Sequence, residues 1–207
     1  SLKRLMRTLH QILHGRVAII SGRPVAEIRH YLQNHDLIVA GSHGLELSWP
    51  DGGAWAPSPP PGLMRLREEL EDLPAQYPGI LIEEKPFGIA IHYREAPDAQ
   101  DVCRQRAIDL SRRTGLRLQP GKMVFELKAP GADKGAAIDK LMSTPPMLGY
   151  TPVFLGDDDT DEAGFSAVVR MGGAGILIGP MRRTAASYAL PDVENAIVWL
   201  NTVESFR

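Results

Sequence analysis

Apolar residues at Leu2, Leu5, Met6, Leu9, Ile12 and Leu13 recur at helical spacing, so the chain opens inside an amphipathic helical pattern. Residues 17–20 form a short apolar run closed by Ser21-Gly22-Arg23-Pro24. This predicts a buried strand passing into a helix, with Pro24 in its first turn and Val25, Ile28 and Leu32 facing inward. Residues 37–40 predict a second buried strand, ended by Gly41-Ser42-His43-Gly44. Leu45, Leu47 and Trp49 then alternate with polar positions up to a hairpin turn at Asp51-Gly52-Gly53, before Trp55. The proline-rich stretch 57–61 is a loop, and Leu63, Leu66, Leu70 and Leu73 mark one further helix.

From residue 79 the pattern changes. Strands are expected at 80–82 and around Ile89, Ile91 and Tyr93, then a helix over 99–114, then strands at 116–118 and 123–127. That order predicts a small α+β insertion over 79–128, with its sheet on one side and helices on the other. Strand–helix alternation then returns: a helix at 134–142, a strand at 153–155, a helix at 161–169, a strand at 176–178, and a closing helix at 193–203 with Ile197, Leu200 and Val203 inward. Short apolar strands alternating with amphipathic helices imply an α/β fold with a doubly wound, Rossmann-like parallel sheet. The core would comprise residues 1–78 and 129–207, interrupted by the inserted domain.

Composition narrows the class. The hydrophobic fraction of 43% and charged fraction of 23% are those of a globular chain able to bury a core. A net charge of −2, with basic residues scattered and without interleaved aromatics, argues against nucleic acid as a partner. The single cysteine, Cys103, can form neither an internal disulfide nor a cysteine metal cluster, which fits a cytoplasmic location. No apolar run approaches the roughly 20 residues of a membrane helix, so no membrane association is expected.

In an open parallel sheet, ligands bind beyond the carboxyl ends of the strands, and three polar clusters are expected there. Gly156-Asp157-Asp158-Asp159-Thr160-Asp161 follows the strand at 153–155. Packing four carboxylates into five residues is electrostatically costly, and a Mg²⁺ ion with oxygen ligands would offset the cost. A solvated helix cap is the alternative; the position after a buried strand favours the metal, with Asp157 as direct ligand and Asp158 and Asp161 in its inner or outer shell. Ser21-Gly22-Arg23 sits at a strand end and helix start, where a hydroxyl and free amides would hold a phosphate; a simple N-cap is an equal reading there. At Asp133-Lys134-Gly135 a cation opposes the dipole of the helix it opens, a cost that makes sense if Lys134 neutralises phosphate and carboxylate charge.

A serine, a lysine and an aspartate loop in this order resemble the second, third and fourth motifs of the haloacid-dehalogenase-type phosphatase superfamily. Closer still is the resemblance to the trehalose-6-phosphate phosphatase family. It is carried by Ile19-Ile20-Ser21-Gly22-Arg23, Ala40-Gly41-Ser42-His43-Gly44, Ile91-His92-Tyr93-Arg94, Gly121-Lys122-Met123-Val124-Phe125-Glu126-Leu127, Asp133-Lys134-Gly135 and Phe154-Leu155-Gly156-Asp157-Asp158-Asp159-Thr160-Asp161-Glu162. It spans roughly residues 10–200. It implies hydrolysis of a small sugar phosphate, with Mg²⁺ as cofactor and 79–128 as a cap domain. Ser21, Lys134 and Asp161 would be catalytic, and Asp157 and Asp158 would bind the metal. Arg23, His43, Arg94, Lys122 and Glu126 would contact substrate; alternation along an extended strand would put Lys122 and Glu126 on one face. By residue type alone, Glu126 and Arg94 equally suit a surface ion pair, and His43 a turn. A monomer is expected.

The family attacks phosphate with the first carboxylate of an Asp-x-Asp-x-Thr segment after its first core strand, and residues 1–207 contain no such segment. The first core strand is therefore expected to be missing from this chain, which by itself should not turn over. A capped phosphatase for a sucrose or mannosylglycerate phosphate ester, and a non-catalytic sugar-phosphate sensor, remain open at this stage.

Overall fold

The computed structural model describes residues 2–33, 36–131 and 133–202; Val203, expected to face inward from the closing helix, lies outside the described residues. After helix α1 (Leu2–Ile12), strands β1 (Ala18–Ile20) and β2 (Ile38–Gly41) pair in parallel across helix α2 (Val25–Leu32). The chain then folds back antiparallel through β3 (Glu46–Ser48) and β4 (Ala54–Trp55), as the alternation of Leu45, Leu47 and Trp49 predicts.

Residues 57–132 form a separate unit with its own core. Helices α3 (Leu63–Glu68) and α4 (Asp72–Gln76) precede strands β5 (Leu81–Lys85) and β6 (Gly88–His92). Helix α5 (Gln100–Thr114) and strands β7 (Arg117–Gly121) and β8 (Val124–Lys128) complete an antiparallel sheet of order β5-β6-β8-β7. Leu66, Leu70 and Leu73 are buried with Ile89, Ile91, Cys103, Leu110, Phe125 and Leu127 in one cluster. The insertion thus begins at Pro57 and ends at Ala132, not at 79 and 128 as the sequence pattern suggests. The pattern misleads because α3 and α4 carry an apolar face indistinguishable from a core helix, and only the sheet they cover decides their unit. The single helix predicted over 63–73 is also split. Pro74 in the first turn of α4 would clash with the carbonyl of residue 70 if the helix ran on, so the chain must restart there.

The first unit resumes with α6 (Lys134–Met142), β9 (Val153–Gly156), α7 (Glu162–Arg170), β10 (Ala174–Ile178), β11 (Tyr188–Leu190) and α8 (Val193–Thr202). β9, β10 and β11 are parallel, with β10 in the middle. Two helical layers cover the strands. Val39 packs with Ile28 and Leu32 of α2, whereas Ile38 and Ala40 pack with Ala137 and Leu141 of α6, so every position of β2 is buried. Ile176 and Ile178 meet Ala196 of α8. Ile20 of β1 and Phe154 of β9 converge on Ile138, Ala167 and Val168, so α6 and α7 serve both sheets.

The doubly wound layering holds, but the expected continuous parallel sheet is found as two sheets. Among the described residues, β1 pairs only with β2 and β9 only with β10. β11 escapes the sequence pattern because Tyr188-Ala189-Leu190 is short and largely exposed, with no alternation. No helix among the described residues is long and apolar enough to cross a membrane.

Leu70, fully buried between α3 and α4, tests the revised boundary. Leu70→Ala is expected to cost about 2–5 kcal/mol. Hydrogen exchange should show the lost protection spread over residues 81–128, with β2 and β10 keeping theirs.

Candidate metal and phosphate site

β9 ends at Gly156, and the chain turns at once into a short 3-10 segment, Asp159–Asp161, leading into α7. Asp161 points back under this turn, 2% exposed. Its Oδ2 accepts the backbone N–H groups of Asp157 (2.9 Å) and Asp158 (3.1 Å), and its Oδ1 accepts Lys134 Nζ at 2.6 Å. Gly156 makes room for it: a Cβ there would lie 2.4 Å from the Asp161 carboxyl carbon. Asp158 in turn accepts the Thr160 N–H at 2.7 Å and the Thr160 hydroxyl, so that Asp158 and Asp161 cap the turn reciprocally.

Lys134 is the first residue of α6, and Asp133 caps that helix by accepting Ala136 N–H at 2.7 Å. Lys134 is buried, at 8% exposure. That resolves the unfavourable dipole: Lys134 is paired internally with Asp161 rather than exposed.

Burial pushes the Asp158 carboxyl up. Hydrogen bonds from Thr160 and the charge of Lys134, with a smaller effect of His43, outweigh burial and hold it below the usual carboxylate range. His43 therefore belongs to the same site. Its backbone N–H donates to the Ser21 carbonyl at 2.9 Å, and its ring covers Gly22 so closely that a Cβ there would lie 2.7 Å from it. Ser42 and His43 both adopt left-handed φ values, 50° and 57°, which non-glycine residues hold only when surrounding structure fixes them. Glu46 of β3 supplies part of that structure, accepting Ser42 Oγ at 2.5 Å and Val25 N–H at 3.2 Å.

This corrects the sequence-based view of the Ser21 loop. Two amides expected to be free there are taken: Arg23 N–H donates to Ser21 Oγ at 3.2 Å, and the first amide of α2, that of Val25, donates to Glu46. The Ser21 hydroxyl proton and the Gly22 N–H are not among the donors so engaged.

Ser21, His43, Lys134, Asp157, Asp158 and Asp161 thus come together in the first unit. Arg23 is directed elsewhere, paired with Glu27 and set 5.4 Å from the Tyr31 ring centroid. Arg94, Lys122 and Glu126 lie in the second unit. Lys122 is not on a strand, as the alternation argument assumes; it sits in the two-residue turn between β7 and β8, where Met123 takes φ 61°. Tyr93 N–H donates to the Met123 carbonyl at 3.1 Å, so Arg94 and Lys122 share one end of that sheet. Glu126 lies mid-strand, opposite in direction to the buried Phe125 and Leu127. It pairs with Lys85 at 2.8 Å, the ion pair that residue type alone left open toward Arg94.

The acidic turn suits a hard divalent cation. Asp157, Asp158 and Asp161 each offer a carboxylate oxygen, all within 4.8 Å of one another. Asp161 is already committed to Lys134 and two amides, leaving the exposed Asp157 and Asp158 as outward donors. One or two carboxylates completed by water is the usual environment of Mg²⁺.

Lys134→Ala leaves Asp161 buried without its cation and is expected to cost about 3–5 kcal/mol in urea denaturation. Breaking the exposed Arg170–Asp139 pair with Arg170→Ala is expected to cost no more than about 1 kcal/mol.

The family model for trehalose-phosphatase matches residues 1–194. The chain is 38% identical over 191 residues to the trehalose-6-phosphate phosphatase of Escherichia coli K12, covering 91% of this chain and 71% of that protein. It is 36% identical over 190 residues to a probable trehalose-phosphate phosphatase of Sinorhizobium fredii, with the same coverage of 91% and 71%. The crystal structure of a trehalose-6-phosphate phosphatase related protein superposes with a TM-score of 0.79 at 25% identity, covering 99% of this chain and 87% of that one. The chain belongs to the trehalose-phosphatase family.

Proposed function

We propose that this chain carries the metal-, phosphate- and sugar-binding residues of a Mg²⁺-dependent phosphatase that hydrolyses trehalose 6-phosphate to trehalose and phosphate. The observation that supports this best is the buried Lys134–Asp161 pair, which holds the exposed Asp157 and Asp158 at the carboxyl end of β9. Asp157 and Asp158 would hold the ion, which when bound supplies positive charge against the phosphoryl oxygens. Lys134 adds a fixed cation beside them. The Ser21 hydroxyl, its oxygen engaged by Arg23 N–H, has its proton left to donate to a phosphoryl oxygen. Arg94, Lys122 and Glu126 are assigned to the sugar, with His43 at the phosphate end and Arg23 the weakest member of the set.

The nucleophile is assigned to an aspartate of an Asp-x-Asp-x-Thr segment carried on a further parallel strand, which forms an aspartyl-phosphate. The one-sided pairing of β1 and β9 supports this assignment. Both strands are apolar, yet no residue of either is fully buried, whereas every residue of β2 is. An unpaired apolar edge is a liability that a further strand removes.

Phosphate release from trehalose 6-phosphate tests this directly. Residues 1–207 alone are expected to release none, and a chain extended ahead of Ser1 by the Asp-x-Asp-x-Thr strand is expected to turn over in Mg²⁺ and stop with a chelator. Turnover by residues 1–207 alone would remove the nucleophile from a separate strand. In the active form, Lys122→Ala and Glu126→Ala are each expected to lower kcat/KM for trehalose 6-phosphate about tenfold or more, the worth of a charged hydrogen bond. Esters of sucrose and mannosylglycerate should be affected less; a uniform loss across all three would take sugar recognition away from these residues.

A further inference from the structure

Glu162, the last acidic residue of the turn, commits its carboxylate to the connection between β10 and β11. Its Oε1 accepts Thr184 Oγ1 at 2.8 Å and Arg182 Nη1, and its Oε2 accepts Ala185 N–H at 2.7 Å. Arg182 also reaches the turn itself. Its Nη2 donates to the Asp158 carbonyl oxygen at 2.7 Å, and its Nη1 lies 3.4 Å from Asp159 Oδ1. One guanidinium thus grips the backbone at Asp158 and the side chain of Glu162 together, a fork that the point charge of a lysine does not reproduce.

We propose that Arg182 is a positioning residue for the divalent-cation site. It fixes the backbone at Asp158 and draws Glu162 and Asp159 to the outer side of the turn, so that Asp157 and Asp158 alone face the ion. Lys134 and Arg182 then divide the work: Lys134 holds the turn from inside through Asp161, and Arg182 holds it from outside. Among the described residues, Asp157 and Asp158 have no cation at ion-pair distance, and the Asp158 hydrogen bonds to Thr160 use Oδ1 only, leaving Oδ2 to face an ion. This inference rests on the assignment of the acidic turn to Mg²⁺.

The sign of the effect makes the idea testable. If Arg182 acted only as a nearby positive charge, it would repel the metal, and removing it would tighten binding. A positioning role gives the opposite result, because outer-shell partners of a metal site commonly carry tenfold or more of its affinity. The measurement is a Mn²⁺ titration of the chain by electron paramagnetic resonance, paired with hydrogen exchange of residues 157–162 without metal. Arg182→Ala and Arg182→Lys are each expected to raise the Mn²⁺ Kd about tenfold and to speed exchange in that segment, with protection in β10 retained. Arg183→Ala removes the same unit of charge one residue away from an exposed side chain, and is expected to leave both unchanged. An unchanged or lower Kd in Arg182→Ala, or unchanged exchange at 157–162, overturns the proposal while leaving the cation site in place. Failure of the unsubstituted chain to take up Mn²⁺ overturns the assignment of the site and the proposal with it.

Discussion

The pairing of Lys134 with Asp161 is the contact on which the rest of the site depends. Both groups are nearly out of solvent, where either charge alone would be strongly disfavoured. Buried pairs of this kind add little net stability over an apolar replacement, but losing one partner is costly because the other charge is left buried alone. Here the arrangement ties three elements together. Lys134 anchors the first turn of α6, and the two oxygens of Asp161 fix that lysine to the amides of Asp157 and Asp158 at the end of β9. The lysine's position at a helix N-terminus is unfavourable for α6 alone and is explained by the carboxylate it meets.

That contact also explains how a sheet in two pieces can carry one site. Ile20 from β1 and Phe154 from β9 pack on the same residues of α6 and α7, so a shared helical layer sets the strands of both pieces. The polar ends of β1 and β9 are then positioned by the loops above that layer. His43 links to Ser21 through its backbone and acts on Asp158 through its charge, which connects the two pieces at the level of chemistry. Among the described residues, the edges of β1 and β9 remain apolar and paired on one side only.

The layered α/β core was legible in the sequence because buried parallel strands are continuous apolar runs and their helices repeat every three to four residues. The placement of Ser21, Lys134 and the acidic turn at strand and helix ends was legible because each adjoins a short apolar run or opens an amphipathic one. The insertion boundary was not, since Leu66, Leu70 and Leu73 show an apolar face without showing which sheet it covers. The setting of Lys122 was misread because a two-residue hairpin turn at Lys122-Met123 interrupts the strand, and Met123 gives no sign of its positive φ. Arg182 and Glu46 were missed for a common reason. Each acts through one long side chain reaching a distant backbone atom, and no periodicity records that.

Charge balance shows why the turn needs both of its cations. Residues 157–162 carry five carboxylates, and Lys134 and Arg182 are the cations paired with them, leaving an excess of three negative charges. Asp159 has a side chain 95% exposed, so water screens its charge and it exerts little demand on the fold. Asp161 and Glu162 are satisfied by hydrogen bonds and their cations. The remaining charge lies on Asp157 and Asp158, whose backbone N–H groups both donate to Asp161 Oδ2. Burial raises the Asp158 carboxyl, but hydrogen bonds from Thr160 and the charge of Lys134 outweigh it and keep the group below the usual carboxylate range. The proposed ion would therefore add to a turn whose buried charges are already paired, and would neutralise part of the remaining negative excess.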